Sequence, residues 1–374
     1  MTSSMQAAAT VRVAMVTNIP APYRLPVYER LVALGGVELC VFFCSGREPD
    51  REWDLQQTGV RQVFLKEKFL TWKGRFIHVN PDAWSALKRF RPDVVITTGF
   101  NPTFLVAYLY ARLHGARHIA MTDGTAISEE VLGPIHRLVR RMVYRGSAAF
   151  IGASQGSFDL YQSYGIDRSR MFQSHLCADN GRFTPVPLAE RSFDFVFSAR
   201  FVAVKNPMFA LDVCQAVARR LGRRVRILLL GSGELRSQME AHAATMVQDV
   251  DAVFAGFAKQ ADLPALYASA RVMLFPTTFD PWGVVANEAC AAGVPVLVSP
   301  VAGAANDLIR DQVNGFVLPL DMDQWADAAC RLLTDAALFD RMVQACLQEV
   351  SRFTYQHAAE GIRDAVLHAE GQAL

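Results

Sequence analysis

Short, nearly unbroken apolar runs alternate with longer amphipathic stretches along most of the chain, the pattern of buried parallel strands joined by crossover helices. In the first half VRVAMVTN closes on Asn18, and IPAPYRLPVYERLVAL turns on its prolines into a helix. VELCVFFC and VRQVFL follow as strands, PDAWSALKRFRPD as an amphipathic helix and DVVITTG as the next strand. FNPTFLVAYLYARLHG predicts a helix, HIAMTDG a strand, GPIHRLVRRMVYRGS a basic helix and AAFIGAS a further strand. The alternation predicts an α/β fold in which helices cover both faces of a parallel sheet, and ligands gather at the carboxyl ends of strands in such folds. Asn18, Gly99, Asp123 and Ser154 fall at those ends.

SFDLYQSYGIDRSRMFQS continues the first domain, and CADNGRFTPVPLAERS, stiffened by Pro185 and Pro187, reads as the crossover to a second. The alternation resumes at FDFVFSAR. Between Val225 and Leu318 it recurs as an apolar run, a turn rich in Gly, Pro or Asp, and a helix-length stretch. VMLF (Val272 to Phe275) and VPVLVS (Val294 to Ser299) read as buried strands. GVVANEACAA between them reads as a helix lying close to the sheet, because Ala286, Ala289, Ala291 and Ala292 permit near approach. The expected division is residues 1–185, residues 190–352 and a terminal helix over 353–374. The length of 374 residues also favours two cores over one.

Apolar residues make up 51% and charged residues 20% of the chain, a globular composition. Thirty-eight basic against 36 acidic residues leave a net charge of +2, which argues against a dedicated nucleic-acid binder. The seven cysteines are scattered through apolar runs and read as buried free thiols in a reducing compartment, with no zinc site. MTSSMQAAAT lacks the basic segment and apolar core of a secretory signal, and no stretch approaches the roughly 18 apolar residues of a membrane span. The expected location is cytoplasmic. Phe64 to Val79 interleaves Lys66, Lys68, Lys73 and Arg75 with Phe69, Leu70 and Trp72. That composition suits either a solvated loop or a peripheral contact with the inner face of an anionic membrane. HRLVRRMVYR, also basic, reads as a core helix.

Chemistry concentrates in the second half. Asp280 precedes the small-residue helix and Glu288 lies inside it. At helical rise the eight positions between them cover roughly 12 Å, the reach of a sugar joined to a nucleoside through a diphosphate. Alone, the two acids also fit a loop cap and a helix residue. FVFSARFVAVKN sets Arg200 just past a strand and Lys205 five residues on. Such a pair is either ordinary solvated surface or a receptor for anionic oxygen. Gly231 and Gly233 follow VRILLLG, where glycine permits close backbone approach or simply a tight turn. Gly283, Val284 and Val285 would offer N–H groups at a helix start, and Trp282 a face for a sugar ring. In the first half the turn from Asn18 to Arg24 is Pro-rich and offers few N–H donors. Arg24 reads equally as a compensating cation or a surface residue. Asp123 is a polar contact or a turn residue with Gly124, and His118 reads as structural.

Residues 280–296 resemble the E-x7-E signature of retaining glycosyltransferases of family 4: Asp280, Trp282, Gly283, Glu288, Ala289, Ala291, Gly293, Pro295 and Val296 stand in register. The first acid is Asp280, one methylene shorter than the usual Glu. Arg200 with Lys205 and Asn206 matches the R-x4-K-N pattern of the same family. The resemblance implies two facing doubly wound Rossmann-like domains, the GT-B architecture, with an acceptor-side first domain, a nucleotide-sugar-binding second domain and a terminal helix crossing back onto the first. It implies that Arg200 and Lys205 bind the donor diphosphate and that Glu288 accepts from the ribose hydroxyls. Gly231 and Gly233 would lie near the nucleotide, the backbone at Gly256 and Phe257 would meet the nucleobase, and Asp123 would face a sugar. The implied activity is metal-independent, retaining transfer of a hexose from a UDP- or GDP-sugar, with no cofactor. The acceptor would be a hydroxyl of a sugar or lipid-linked saccharide, in assembly of bacterial surface polysaccharide or lipid-linked oligosaccharide. A nucleotide-sugar epimerase and a non-catalytic nucleotide-sugar-binding protein remain as alternatives on the same architecture.

Overall fold

The computed structural model describes residues 10–46, 58–72, 75–130 and 132–372, the side chains of 69–76 excepted. The chain divides into two units, Met1–Leu176 with Tyr355–Leu374, and Cys177–Thr354. In the first, chain order runs β1 (Val11–Thr17), α1 (Leu25–Ala33), β2 (Val37–Phe43), β3 (Arg61–Phe64), β4 (Phe69–Trp72), β5 (Arg75–His78), α2 (Ala83–Phe90), β6 (Val94–Thr97), α3 (Pro102–His114), β7 (Arg117–Thr122), α4 (Ala126–Glu130), α5 (Pro134–Gly146), β8 (Ala149–Gly152), α6 (Gln155–Ser163) and β9 (Met171–Gln173). Seven strands form a parallel sheet in the order β3-β2-β1-β6-β7-β8-β9, and β4 pairs with β5 in a separate antiparallel hairpin.

The second unit contains β10 (Phe193–Ser198), α7 (Pro207–Leu221), β11 (Val225–Leu230), α8 (Arg236–Thr245), β12 (Val250–Gly256), α9 (Leu263–Ala268), β13 (Ala270–Phe275), α10 (Val284–Ala291), β14 (Val296–Val298), β15 (Gly315–Val317), α11 (Met322–Thr334) and α12 (Ala336–Val350). Its six strands are parallel in the order β12-β11-β10-β13-β14-β15. Central strands are rich in apolar residues because both faces are covered: VVIT of β6 and AFIG of β8 are buried at every position. Prolines at or next to the first position open α1, α3, α5, α7 and α9, where a missing N–H costs nothing. Two Rossmann-like α/β units are therefore present. Strand order reverses between β1 and β6 in one and between β10 and β13 in the other, and a crevice opens outside the carboxyl ends at such a reversal.

The terminal helix α13 (Tyr355–Ala369) is part of the first unit and packs on α1, β7, β8 and β9. It buries Ala358, Ala359, Ile362, Ala365 and Val366.

Three expectations change. The first unit ends at Leu176, not at 185. Residues after it are tied into the second unit, where the Asn180 side-chain amide donates to the Val350 carbonyl (2.9 Å) and Arg191 donates to the carbonyls of Ala270 (2.8 Å) and Gly293 (3.0 Å). The Phe64–Val79 stretch contains the β4–β5 hairpin instead of a plain loop. Lys66 and Lys68 are exposed, while Lys73 and the side chains of Phe69, Leu70, Trp72 and Arg75 lie outside the described residues. Helix α5, expected in the core, buries only Val143 and Tyr144. All seven cysteines are free thiols, and all but Cys330 are buried.

Candidate functional site

The reversal between β10 and β13 brings together loops 75 positions apart. After β10 the chain passes Arg200, exposed, and reaches Lys205 in a short 3-10 turn. After β13 it passes Thr277, Thr278 and Asp280. The Val204 carbonyl accepts from the Thr278 N–H (2.9 Å) and the Thr277 hydroxyl (2.8 Å), which pins the two loops side by side. Lys205 Nζ then lies 2.5 Å from Asp280 Oδ2, with both side chains about 15% exposed (16% and 14%). Asp280 Oδ1 accepts the Trp282 N–H at 3.1 Å, a local turn bond that orients the carboxylate. Asp280 thus shapes its own loop, as the capping alternative expected, and also pairs with Lys205, a partner that the sequence did not indicate.

Helix α10 begins at Val284, because Gly283 adopts φ 96° and interrupts the helical path. The eight-position spacing from Asp280 to Glu288 therefore does not run along one helix, and the helical-rise estimate does not apply. A Cβ at Gly283 would lie 2.3 Å from the Phe275 ring, so only glycine fits the turn that delivers the α10 N-terminus beside β13. Val284 and Val285, in the first turn, carry N–H groups for which an α-helix has no internal acceptor. Glu288 is 8% exposed, and its Oε2 accepts the Tyr267 hydroxyl at 2.8 Å. Burial raises the Glu288 pKa to about 7, against the lowering effects of the Tyr267 hydrogen bond and the Arg182 charge.

Tyr267, from α9, is the residue that sequence reasoning missed. It reads as a core position of an ordinary helix, and nothing local links it to a carboxylate 21 positions on. The one available signal is that a buried tyrosine hydroxyl needs a partner.

Trp282 is a correction. Its ring is 1% exposed, its Nε1 donates to Asn287 Oδ1 at 2.8 Å, and it packs against Phe353, so it does not offer a face to a sugar. At Gly231 and Gly233 the space left by the missing side chain is taken by backbone. A Cβ on Gly231 would sit 1.9 Å from the Ala199 carbonyl oxygen, and one on Gly233 2.5 Å from that of Phe201. The Gly231 N–H donates to the Gly256 carbonyl at 2.8 Å. The close approach that these glycines permit is to the chain's own Arg200 loop. Gly256 has φ 75° at the end of β12, and Phe257 beyond it is half exposed.

In the first unit, Asn18, Arg24, Thr98, Thr122 and Asp123 line a cavity of about 180 Å³ beyond the carboxyl ends of β1, β6 and β7. Arg24 is buried, contrary to a surface reading. Its guanidinium is 2.6 Å from Asp123 Oδ1 and donates to the Ser174 carbonyl at 3.1 Å. Asp123 is 38% exposed and so keeps an open side. His118 is a buried neutral base between Thr97 (3.0 Å) and Ser147 (2.8 Å). Burial, with help from Arg112, lowers its pKa to about 3.

Residues 192–335 match the family described as Glycosyl transferases group 1, and residues 19–175 match the Glycosyl transferase 4-like domain. An uncharacterized glycosyltransferase of Methanocaldococcus jannaschii is 33% identical over 167 residues, 44% of this chain and 42% of its own. D-inositol 3-phosphate glycosyltransferase of Salinispora arenicola is 28% identical over 240 residues, 58% of this chain and 52% of its own. The chain thus spans about half the length of these curated relatives. The crystal structure of Anabaena HepE in complex with UDP and glucose superposes with a TM-score of 0.73 at 15% identity, over 95% of this chain and 99% of that one. With a 4-like domain in its first unit, a group 1 domain in its second and the fold common to both, the chain belongs to the family 4-like glycosyltransferases of the GT-B type.

Proposed function

We propose that the protein is a retaining hexosyltransferase that uses a UDP- or GDP-sugar as donor and the hydroxyl of a sugar or lipid-linked saccharide as acceptor, without a metal. The observation that carries this reading is the Lys205–Asp280 pair at the strand-order reversal of the second unit, beside the N-terminus of α10. A donor diphosphate arriving there meets an ammonium and a turn of N–H groups. Both favour negative oxygen, and both gain importance as charge builds on the departing phosphate. Arg200, exposed in the same loop, adds a second cation. The ribose is assigned to Glu288, the nucleobase to the backbone at Gly256 and Phe257, and Asp123 to a sugar hydroxyl. In the step itself the acceptor oxygen bonds to the anomeric carbon as the bond to the diphosphate breaks on the same face, and the leaving phosphate oxygen takes the acceptor proton. The UDP and glucose of the Anabaena HepE complex support a uridine donor. Assembly of surface polysaccharide or lipid-linked oligosaccharide is the setting that the family resemblance suggests.

The test is incubation with labelled UDP- and GDP-sugars, comparing wild type with Arg200→Ala and Lys205→Ala. We expect release of nucleoside diphosphate by the wild type and a loss of about a hundred- to thousand-fold in each variant, with an unchanged circular dichroism spectrum. Near-normal turnover in Lys205→Ala would overturn the assignment. An isomerised sugar would indicate an epimerase, and binding without turnover a non-catalytic protein.

A further inference from the structure

The face that α5 turns outward carries chemistry that the transfer reaction does not use. Its thirteen residues, PIHRLVRRMVYRG, contain four arginines, a histidine and no acid. Ile135, Leu138 and Met142 follow one another at spacings of three and four, so they form one stripe, and they are 74%, 63% and 52% exposed. Arg137, Arg141 and Arg145, each four apart and each exposed, form the stripe beside it. Arg140 lies on the inner side, paired with Glu129 at 2.6 Å. Apolar side chains in such a row are ordinarily turned toward a core; here the core is served by Val143 and Tyr144 instead.

The neighbouring helix extends the feature. The Tyr108 hydroxyl of α3 donates to the Met142 carbonyl of α5 at 3.3 Å, so the two helices meet at that point. Next to Tyr108, Leu109 and Leu113 are a further exposed pair one turn apart. Where α3 and α5 end, Arg112, Arg117 and Arg145 line an open cavity of about 360 Å³ with Gly115, Ser147 and Ala148.

We propose that this face rests on an anionic lipid bilayer. The helix would lie in the plane of the interface, with Ile135, Leu138 and Met142 entering the apolar layer, the arginine stripe among the headgroups, and a lipid phosphate in the Arg112–Arg117–Arg145 cavity. Charge selects the occupant: five arginines, three along one helix and two more that share a cavity with Arg145, call for a surface of repeated negative charge. The adjoining apolar stripe calls for that surface to carry an apolar phase beneath its charges, which a nucleic acid does not have. The docking face is separate from the groups assigned to the donor, so it stands or falls independently of the proposed reaction.

The test is co-sedimentation of the full chain with phosphatidylcholine vesicles, with and without phosphatidylglycerol. Wild type should sediment with the anionic vesicles alone, and less so as salt rises. Neutralising Arg137 and Arg141 together to Gln should lower the partition by roughly twenty-five-fold, about five-fold for each charge. Leu138→Ser with Met142→Ser should lower it about ten-fold or more. Arg224→Gln, on the second unit, should leave it unchanged. All these positions are exposed, so thermal unfolding should match wild type and confirm intact variants. Equal binding to uncharged vesicles, no binding to either, or wild-type binding by both multiple variants would overturn the proposal. A concentration-dependent dimer abolished by the serine substitutions, without vesicle binding, would overturn it in favour of a second copy of this chain.

Discussion

An ionised carboxylate at position 288 faces almost no water, and the Tyr267 hydroxyl donates to it at 2.8 Å. Burial therefore lifts its pKa from 4.5 to about 7 in the folded chain. Below pH 4.5 both states hold the proton and the group adds nothing. As pH rises toward 7 the unfolded chain releases the proton while the folded chain keeps it, so stability is lost through that window and stays lower above it. We expect Glu288→Gln to remove this slope and to be more stable than wild type by about 3 kcal/mol at pH 8, measured by urea unfolding at a series of pH values. Parallel pH profiles of the two proteins would contradict the assignment of a high pKa to Glu288.

At the scale of elements, glycines decide how closely the pieces approach. Gly361 lies in the middle of α13, where helix propensity disfavours it. Its reason is spatial: a Cβ there would lie 1.7 Å from the Gln173 carbonyl oxygen at the end of β9. Gly361→Ala should push α13 off that strand end and cost about 2 kcal/mol or more, although alanine is the better helix former. Faster amide exchange in α1 and β9 would report the displacement, whereas a stabilised variant would refute the contact. The elements themselves were legible because apolar runs and turn residues are local signals. VVIT, AFIG and VMLF are short, almost wholly apolar and followed by turn residues, and each lies in a strand. Helix α5 departs from its expected core position for a physical reason. Periodicity shows that a helix has an apolar stripe, but not whether that stripe meets a core or faces outward.

For the whole molecule, one buried group in each unit links folding to pH, and the two act in opposite directions. In the first, His118 is held neutral with a pKa near 3, against 6.5 for an ordinary histidine. Its contribution is complete above about pH 6.5 and is lost as pH falls toward 3, because only the unfolded chain takes up the proton in that interval. In the second, Glu288 acts in the other sense between about 4.5 and 7. Acidification should therefore loosen β7 and β8 before α9 and α10. The measurement is hydrogen exchange followed by peptide mass spectrometry, corrected for intrinsic pH dependence. His118→Gln should flatten the acid response of the first unit, and an unchanged response would assign it to other groups.

The pattern of residues along the chain was enough to indicate two α/β units, the strand ends at which polar groups gather, and the acids and cations placed near those ends. Those properties depend on neighbours within a turn or two, and periodicity records them. Which groups meet was settled by strand order. Parallel pairing of β10 with β13 joins Lys205 to Asp280 across 75 positions, and the approach of the β1 and β7 ends joins Arg24 to Asp123 across 99. The same packing removed Trp282 into the interior and used the space beside Gly231 and Gly233 for backbone. A residue's type sets the interactions it can make; the folded neighbourhood selects one of them, because burial leaves each polar atom only the partners that tertiary contact provides.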